Sequence, residues 1–199
     1  MKRIMAIIGS PRKGGNTEIL TDKVIEGCKS KGDVEVEKFF IIDKDIKYCT
    51  GCLTCVSPGE KKWVIKDDME GILERMEECA GFIFSTLNHV RSVNAPMQNF
   101  LTRMLPVLEM KVDQDSGGNI VDGMFESRLN GKKASIVISQ GDPPLSACVV
   151  FAVLERNFVN FKLLRVGEVL SLGNISKDDV KGKKNDLDAA FALGNILAS

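Results

Sequence analysis

The sequence predicts an α/β domain built on an open, doubly wound parallel sheet of about five strands in three α/β/α layers, and three observations carry that expectation. Apolar runs of strand length alternate with segments whose apolar residues recur at helical spacing. The first run, Ile4-Met5-Ala6-Ile7-Ile8, is continuous, as in a strand covered on both faces. It is followed by a polar, glycine-rich turn into a helix. Parallel strands need crossover connections, and right-handed crossovers put helices on both faces. Such a sheet binds ligands beyond the C-terminal ends of its strands.

The elements follow in order. Met1 to Gly9 carries the first strand, stopped by Gly9-Ser10-Pro11. Ile19, Leu20, Val24 and Cys28 recur as one face of a helix, with Asn16 or Thr17 where an N-cap belongs. Val34 to Ile42 is a second strand, and the loop from Asp43 to Lys66 carries three cysteines. Asp67-Asp68-Met69-Glu70 opens a helix running to about Glu78, and its carboxylates suit capping better than acid-base chemistry. Gly81 to Leu87 is a third strand and Ala95 to Leu105 a third helix, with Pro96 tolerated in its first turn. Lys133 to Ser139, Ser146 to Phe161, Leu164 to Leu172 and Asn185 to Ala198 complete the alternation as strand, helix, strand and helix. Pro106 to Gly131 shows little periodicity and contains Ser116-Gly117-Gly118. It is long for a structureless connection and is expected to be a lid or a subunit contact. With no repeat and no linker, residues 1–199 read as one domain.

Composition removes several function classes. Of 199 residues, 44% are hydrophobic, enough for one sizeable core, and Lys plus Arg balances Asp plus Glu at 27 each. A net charge of zero gives no field to draw nucleic acid or an anionic membrane. No apolar run approaches the roughly 18 to 20 residues of a membrane span, and Ile4 to Ile8 is too short for a signal-peptide core, so a cytoplasmic protein is expected. Six cysteines in a chain this long do not make a disulfide scaffold. Cys49, Cys52 and Cys55 have metal or redox spacing, whereas Cys28, Cys79 and Cys148 read as core residues.

The loop Gly9-Ser10-Pro11-Arg12-Lys13-Gly14-Gly15-Asn16-Thr17 gathers amides and hydroxyls at a helix N-terminus, where negative charge is favoured. It is not a Walker loop, because Gly15 and Asn16 stand where Lys and Ser or Thr belong, nor the dinucleotide fingerprint, because Ser10-Pro11 supplies no second glycine. A monophosphate suits it, with Ser10, Arg12, Asn16 and Thr17 as its holders. A plain glycine-rich turn capped by Asn16 is the structural alternative.

This loop resembles the phosphate loop of the NADPH-dependent FMN reductase and iron-sulfur flavoprotein family. Cys49-Thr50-Gly51-Cys52-Leu53-Thr54-Cys55, Val64-Ile65-Lys66-Asp67-Asp68-Met69 and Ser92-Val93-Asn94-Ala95-Pro96-Met97 are similar to further blocks of that family, in the same order. The resemblance implies a flavodoxin-like fold with strand order 2-1-3-4-5, an FMN cofactor and NAD(P)H as cosubstrate. It also implies a small-molecule or redox-protein electron acceptor and a homodimer or homotetramer. In such a protein Thr86, Leu87, Asn88 and His89 would frame the flavin ring, together with Gln140 and Gly141. The family commonly has Gly-Ser-Pro-Val-Tyr after the third strand; here Leu87 replaces the Pro and His89 the aromatic. His89 reads equally well as a ring contact or as a plain loop histidine, and no catalytic side chain is assigned, because the flavin carries the chemistry.

The three cysteines lack a fourth, since residues 56–66 contain none. A four-thiolate cluster is therefore incomplete, and a vestigial or thiol-redox loop is the leading expectation, with no metal ligands assigned. Two other functions stay open: an FMN electron carrier between redox proteins, and a scaffold with a decayed flavin site holding another phosphorylated ligand.

Overall fold

The structure is a computed structural model and describes residues 1–57, 63–114 and 120–199, so Ser116-Gly117-Gly118 lies outside the described residues. In chain order the elements are β1 (Lys2–Ile8), α1 (Asn16–Lys29), β2 (Val34–Phe40), α2 (Met69–Glu78), β3 (Gly81–His89), β4 (Ser92–Val93), α3 (Ala95–Arg103), β5 (Leu108–Gln114), β6 (Ile120–Ser127), β7 (Lys133–Ser139), α4 (Ala147–Asn160), β8 (Leu164–Ser171) and α5 (Lys184–Ala198). Five strands pair in the order β2-β1-β3-β7-β8, all in parallel, which is the expected flavodoxin-like arrangement.

The pleat of β1 sends alternate residues into different layers. Met5 and Ile7 join Phe82, Phe84, Ile136 and Ile138 beneath α2, α3 and α4, where Phe84 and Phe158 meet with ring centroids 5.0 Å apart. Ile4 and Ala6 join Ile83, Val137 and Val169 beneath α1 and α5. The two helices of that second layer cross at glycine. A Cβ on Gly27 would stand 2.0 Å from the Phe191 carbonyl oxygen, and one on Gly194 would stand 2.0 Å from the Val24 carbonyl oxygen, so only two glycines permit this approach.

Three expectations are corrected, and the stretch after Pro106, to which no strand was assigned, gains two. Neither Asn16 nor Thr17 caps α1; Gly15 does, and Asn16 is its first helical residue. The third strand runs two residues past Leu87, because Asn88 and His89 pair antiparallel with Val93 and Ser92. The intervening Val90 and Arg91 have φ of +53° and +60°, a left-handed turn without the glycine or asparagine that would announce it. In the stretch from Pro106 to Gly131, β5 and β6 pair as an antiparallel ribbon. Cys148 is exposed on α4 rather than buried, whereas Cys28 and Cys79 are in the core. Among the described residues, no helix is long and apolar enough to cross a membrane.

Candidate functional site

The C-terminal ends of β1, β3, β7 and β8 open onto one edge of the sheet, and the loop from Gly9 to Thr17 lies there at the start of α1. The N–H groups of the first helical turn have no helical carbonyl to reach, so they remain available to an anion. Ser10 and Thr17 are each only 3% exposed. Ser10 Oγ accepts the Arg12 N–H at 3.3 Å, which closes the bend. The Thr21 hydroxyl lies 2.7 Å from both Thr17 O and Ser85 Oγ, tying α1 to β3.

The charges of this loop are unequal. Lys13 is paired with Asp43 at 2.7 Å, while Arg12 is exposed and makes no ion pair among the described residues. Gly14, at φ +67°, donates its N–H to the Glu18 carboxylate at 2.5 Å, and Lys38 holds the same carboxylate at 2.7 Å. Burial pushes the Glu18 carboxyl up, but the bonds from Lys38 and the Gly14 amide outweigh it and hold the group below the usual carboxylate range. A fixed negative charge therefore sits at the edge of this bend.

Asn16 has a different task from the one its sequence position suggests. Its Nδ2 donates to Ser176 O at 2.6 Å and its Oδ1 accepts the Val180 N–H at 3.1 Å, so the side chain docks the segment after β8 onto the loop. The Asn16 backbone amide, in the first turn of α1, is what remains for an anion.

The second half of the site follows β3. Thr86 Oγ1 is 3.0 Å from Asn94 Oδ1, and Asn94 Nδ2 donates to Gly9 O at 2.5 Å. Asn94 thus fixes the distance between the loop after β1 and the end of β3. In the sequence it stands within the family-like block Ser92-Val93-Asn94-Ala95-Pro96-Met97, with no role assigned to it. Leu87 is half-buried, and His89 is exposed beside the turn. Asn88 Nδ2 donates toward Ser146 Oγ at 2.8 Å and Gln140 Oε1 at 3.2 Å, which leaves Asn88 Oδ1 buried with no hydrogen-bond partner. A buried, unsatisfied acceptor costs about 1–3 kcal/mol, so this atom stands ready for a donor.

Gln140 is fully committed to its own surroundings. Its Nε2 reaches Asp142 O, Pro143 O and Ser146 Oγ, its N–H bonds to Ser171 O, and its carbonyl accepts the Asn174 N–H. It shapes the turn. Gly141 is exposed beside it. Asn174 links this turn to the next, with Nδ2 donating to Ser139 Oγ at 3.0 Å and Oδ1 accepting from Lys183 Nζ at 2.7 Å; Lys183 also bonds Leu172 O. The sequence offered no sign of either residue's role.

The cysteine loop lies along the C-terminal end of α3. It walls a small cavity of about 70 Å³ with Cys49, Cys52 and Cys55 opposite Trp63, Leu105 and Pro106. A buried ion pair clasps the loop's base: Arg103 Nη1 meets Asp67 Oδ2 at 2.5 Å, and Nη2 meets Oδ1 at 3.1 Å. Arg103 also donates to Lys47 O, and Asp67 accepts the N–H groups of Lys47 and Met69. Burial raises the Asp67 carboxyl, but Arg103 and the two amides overcome it and keep the group ionised below the usual range. Asp67 thus does accept a first-turn amide, as its position suggested, while Arg103, thirty-six residues away in sequence, was invisible. The Cys52 thiol is lowered by its hydrogen bond to the Thr54 hydroxyl, 3.2 Å away.

Known proteins resemble both the sequence and this arrangement. An iron-sulfur flavoprotein of Archaeoglobus fulgidus is 39% identical over 104 residues, covering 52% of this chain and 46% of that protein. The iron-sulfur flavoprotein MJ1083 of Methanocaldococcus jannaschii is 30% identical over 135 residues, 67% of each. The chain thus matches about half the length of the first relative and two thirds of the second. Among solved structures, an FMN-dependent NADH-azoreductase of Bacillus anthracis in complex with FMN superposes with a TM-score of 0.73 over the full length of both chains; at 10% identity it shares the fold alone. The profile of the NADPH-dependent FMN reductase family matches residues 2–143, which include the Gly9–Thr17 loop, the cysteine loop, Asn94 and Gln140, and the chain belongs to that family.

Proposed function

We propose that the chain binds FMN noncovalently, takes hydride from NADPH or NADH, and passes the electrons to a small molecule or a redox protein. The observation that carries this reading is the pairing of an open anion site at the start of α1 with the unsatisfied Asn88 Oδ1, both at the sheet edge and joined through Asn94. The residues fit the group. Ser10, Thr17, Arg12 and the first-turn amides would hold the phosphate; Leu87 would cover an apolar ring face, Asn88 Oδ1 would accept a ring N–H, and the Gly141 amide would donate to a ring oxygen. When bound, FMN supplies hydride acceptance and onward electron transfer. The protein's part is to orient the ring and exclude water from one side of it. Family membership and the names of the relatives support the cofactor and the nicotinamide donor.

The cysteine loop does not fit a four-thiolate iron-sulfur cluster. It offers three thiols, residues 56–66 add none, and no group of three or more candidate metal ligands converges among the described residues. No electron step is assigned to it. The β5–β6 ribbon, with Met124 and Phe125 exposed, is our candidate for contact with a second copy of the chain. A monomeric mass in solution with full FMN affinity would remove that assignment.

Anaerobic mixing of the FMN-loaded protein with NADPH or NADH tests the function. Bleaching of the flavin on mixing, with turnover when an acceptor is added, is the expected result. A flavin that stays oxidised with both nucleotides but is reduced by ferredoxin would mean an electron carrier. Protein that retains no FMN would overturn the reading.

A further inference from the structure

We propose that Lys177, in the segment between β8 and α5, is a second cation of the phosphate site, held beside the bend that leads into α1. The inference rests on the FMN reading above and adds a binding residue to it. Lys177 Nζ stands 3.5 Å from where a Cβ on Gly14 would lie, so its ammonium lies beside the bend that leads into α1.

Its placement is built rather than incidental. Asn16 grips the segment on both sides of Lys177, donating to Ser176 O and accepting from Val180 N–H. Within the segment, Asp179 Oδ2 accepts the Ile175 and Ser176 N–H groups at 2.8 and 2.7 Å, and Asp178 pairs with Lys181 at 3.3 Å. The nearby carboxylates are thus occupied, and Lys177 makes no ion pair among the described residues.

The charge balance gives this cation a reason. A phosphate monoester brings up to two negative charges into a bend whose edge already holds the Glu18 carboxylate against the Gly14 amide. Lys13 is neutralised by Asp43 and Lys38 is shared by Glu18 and Asp22, which leaves Arg12 as the loop's only unpaired cation among the described residues. Lys177 is positioned to make up that deficit. An exposed ammonium near a phosphate acts as a point charge and weakens with salt.

The test is titration of FMN-stripped wild type and the variants K177Q, K177E and K177R with FMN and with riboflavin, at low and high salt. We expect K177Q to weaken FMN about three- to fivefold, the range of an exposed charge pair, and K177E to weaken it more. We also expect K177R to restore affinity, riboflavin binding to stay unchanged, and the loss to shrink at high salt. FMN affinity of K177Q equal to wild type, or an equal loss for riboflavin, overturns the role of Lys177 while leaving the flavin reading intact. Wild type that does not prefer FMN over riboflavin overturns both.

Discussion

Replacing Arg103 with methionine removes one half of an ion pair whose other half, the Asp67 side chain, is 0% exposed. Methionine keeps much of the volume and the flexible stem but leaves a carboxylate buried without its counter-ion and strands Lys47 O. Breaking a buried pair in this way costs about 3–5 kcal/mol. For a chain of this size each kcal/mol shifts Tm by about 2–4 °C, so a loss of roughly 6–20 °C is expected. The assay is thermal and urea unfolding at pH 7 with the flavin removed, so that cofactor linkage does not mask the change. Acid titration sharpens the test. In wild type the carboxyl of Asp67 is depressed, so its contribution is full above the ordinary carboxylate value of about 4 and is lost as pH falls through its lower folded value. In the variant, burial is opposed only by the two backbone amides, the carboxyl rises, and protonation relieves the strain. The gap between the two proteins therefore narrows as pH falls from about 7 to 4. A second variant, Arg103→Met with Asp67→Leu, should recover most of the loss, because an apolar pair leaves no buried charge. A cost below about 1 kcal/mol, a gap constant with pH, or a double variant as unstable as the single one would refute the clasp.

Three further outcomes follow from particular contacts. Gly194→Ala places a methyl 2.0 Å from Val24 O, so α1 and α5 must separate; a net loss of about 1–3 kcal/mol in urea unfolding is expected despite alanine's better helix propensity, and an unchanged midpoint would contradict the crossing. Asn94→Ala removes the bridge from Gly9 O to Thr86, costing about 1–3 kcal/mol in stability and weakening FMN retention; full retention would show that the two halves of the site are set independently. Under iodoacetamide at neutral pH, Cys52 should react before Cys28 and Cys79, whose thiols burial pushes up to about 11, and Thr54→Val should slow Cys52; native-state alkylation of Cys28 first would contradict this order, as read by peptide mass mapping.

The fold was legible because its signals are local. The continuous apolar run of β1, the glycine bend after it and the strand-helix alternation each occupy a few consecutive residues, and the chirality of crossovers then leaves few topologies. The position of the Gly9–Thr17 loop at the start of α1 was legible for the same reason. What escaped was long-range or unsigned. The Val90-Arg91 turn carries none of the residues that ease a positive φ, so the hairpin ending β3 gave no warning. Asn16 looked like a cap because a cap and a first-turn residue differ by one position; its real partners, Ser176 and Val180, lie some 160 residues away. Arg103, Asn174 and Lys183 act through partners that only the folded chain brings near. Cys148 was placed in the core on composition, where the helix phase turns it outward.

The central claim is that the bend between β1 and α1 grips the phosphate of the flavin while the ends of β3 and β7 receive its ring. Equilibrium titration of the FMN-stripped wild-type protein with FMN, followed by flavin fluorescence, and the same titration with riboflavin measure that grip directly. Several charge-assisted hydrogen bonds at about 1.5–3 kcal/mol each predict that FMN binds at least about a hundredfold more tightly than riboflavin. Equal affinity for the two, or no binding of either, would contradict the account.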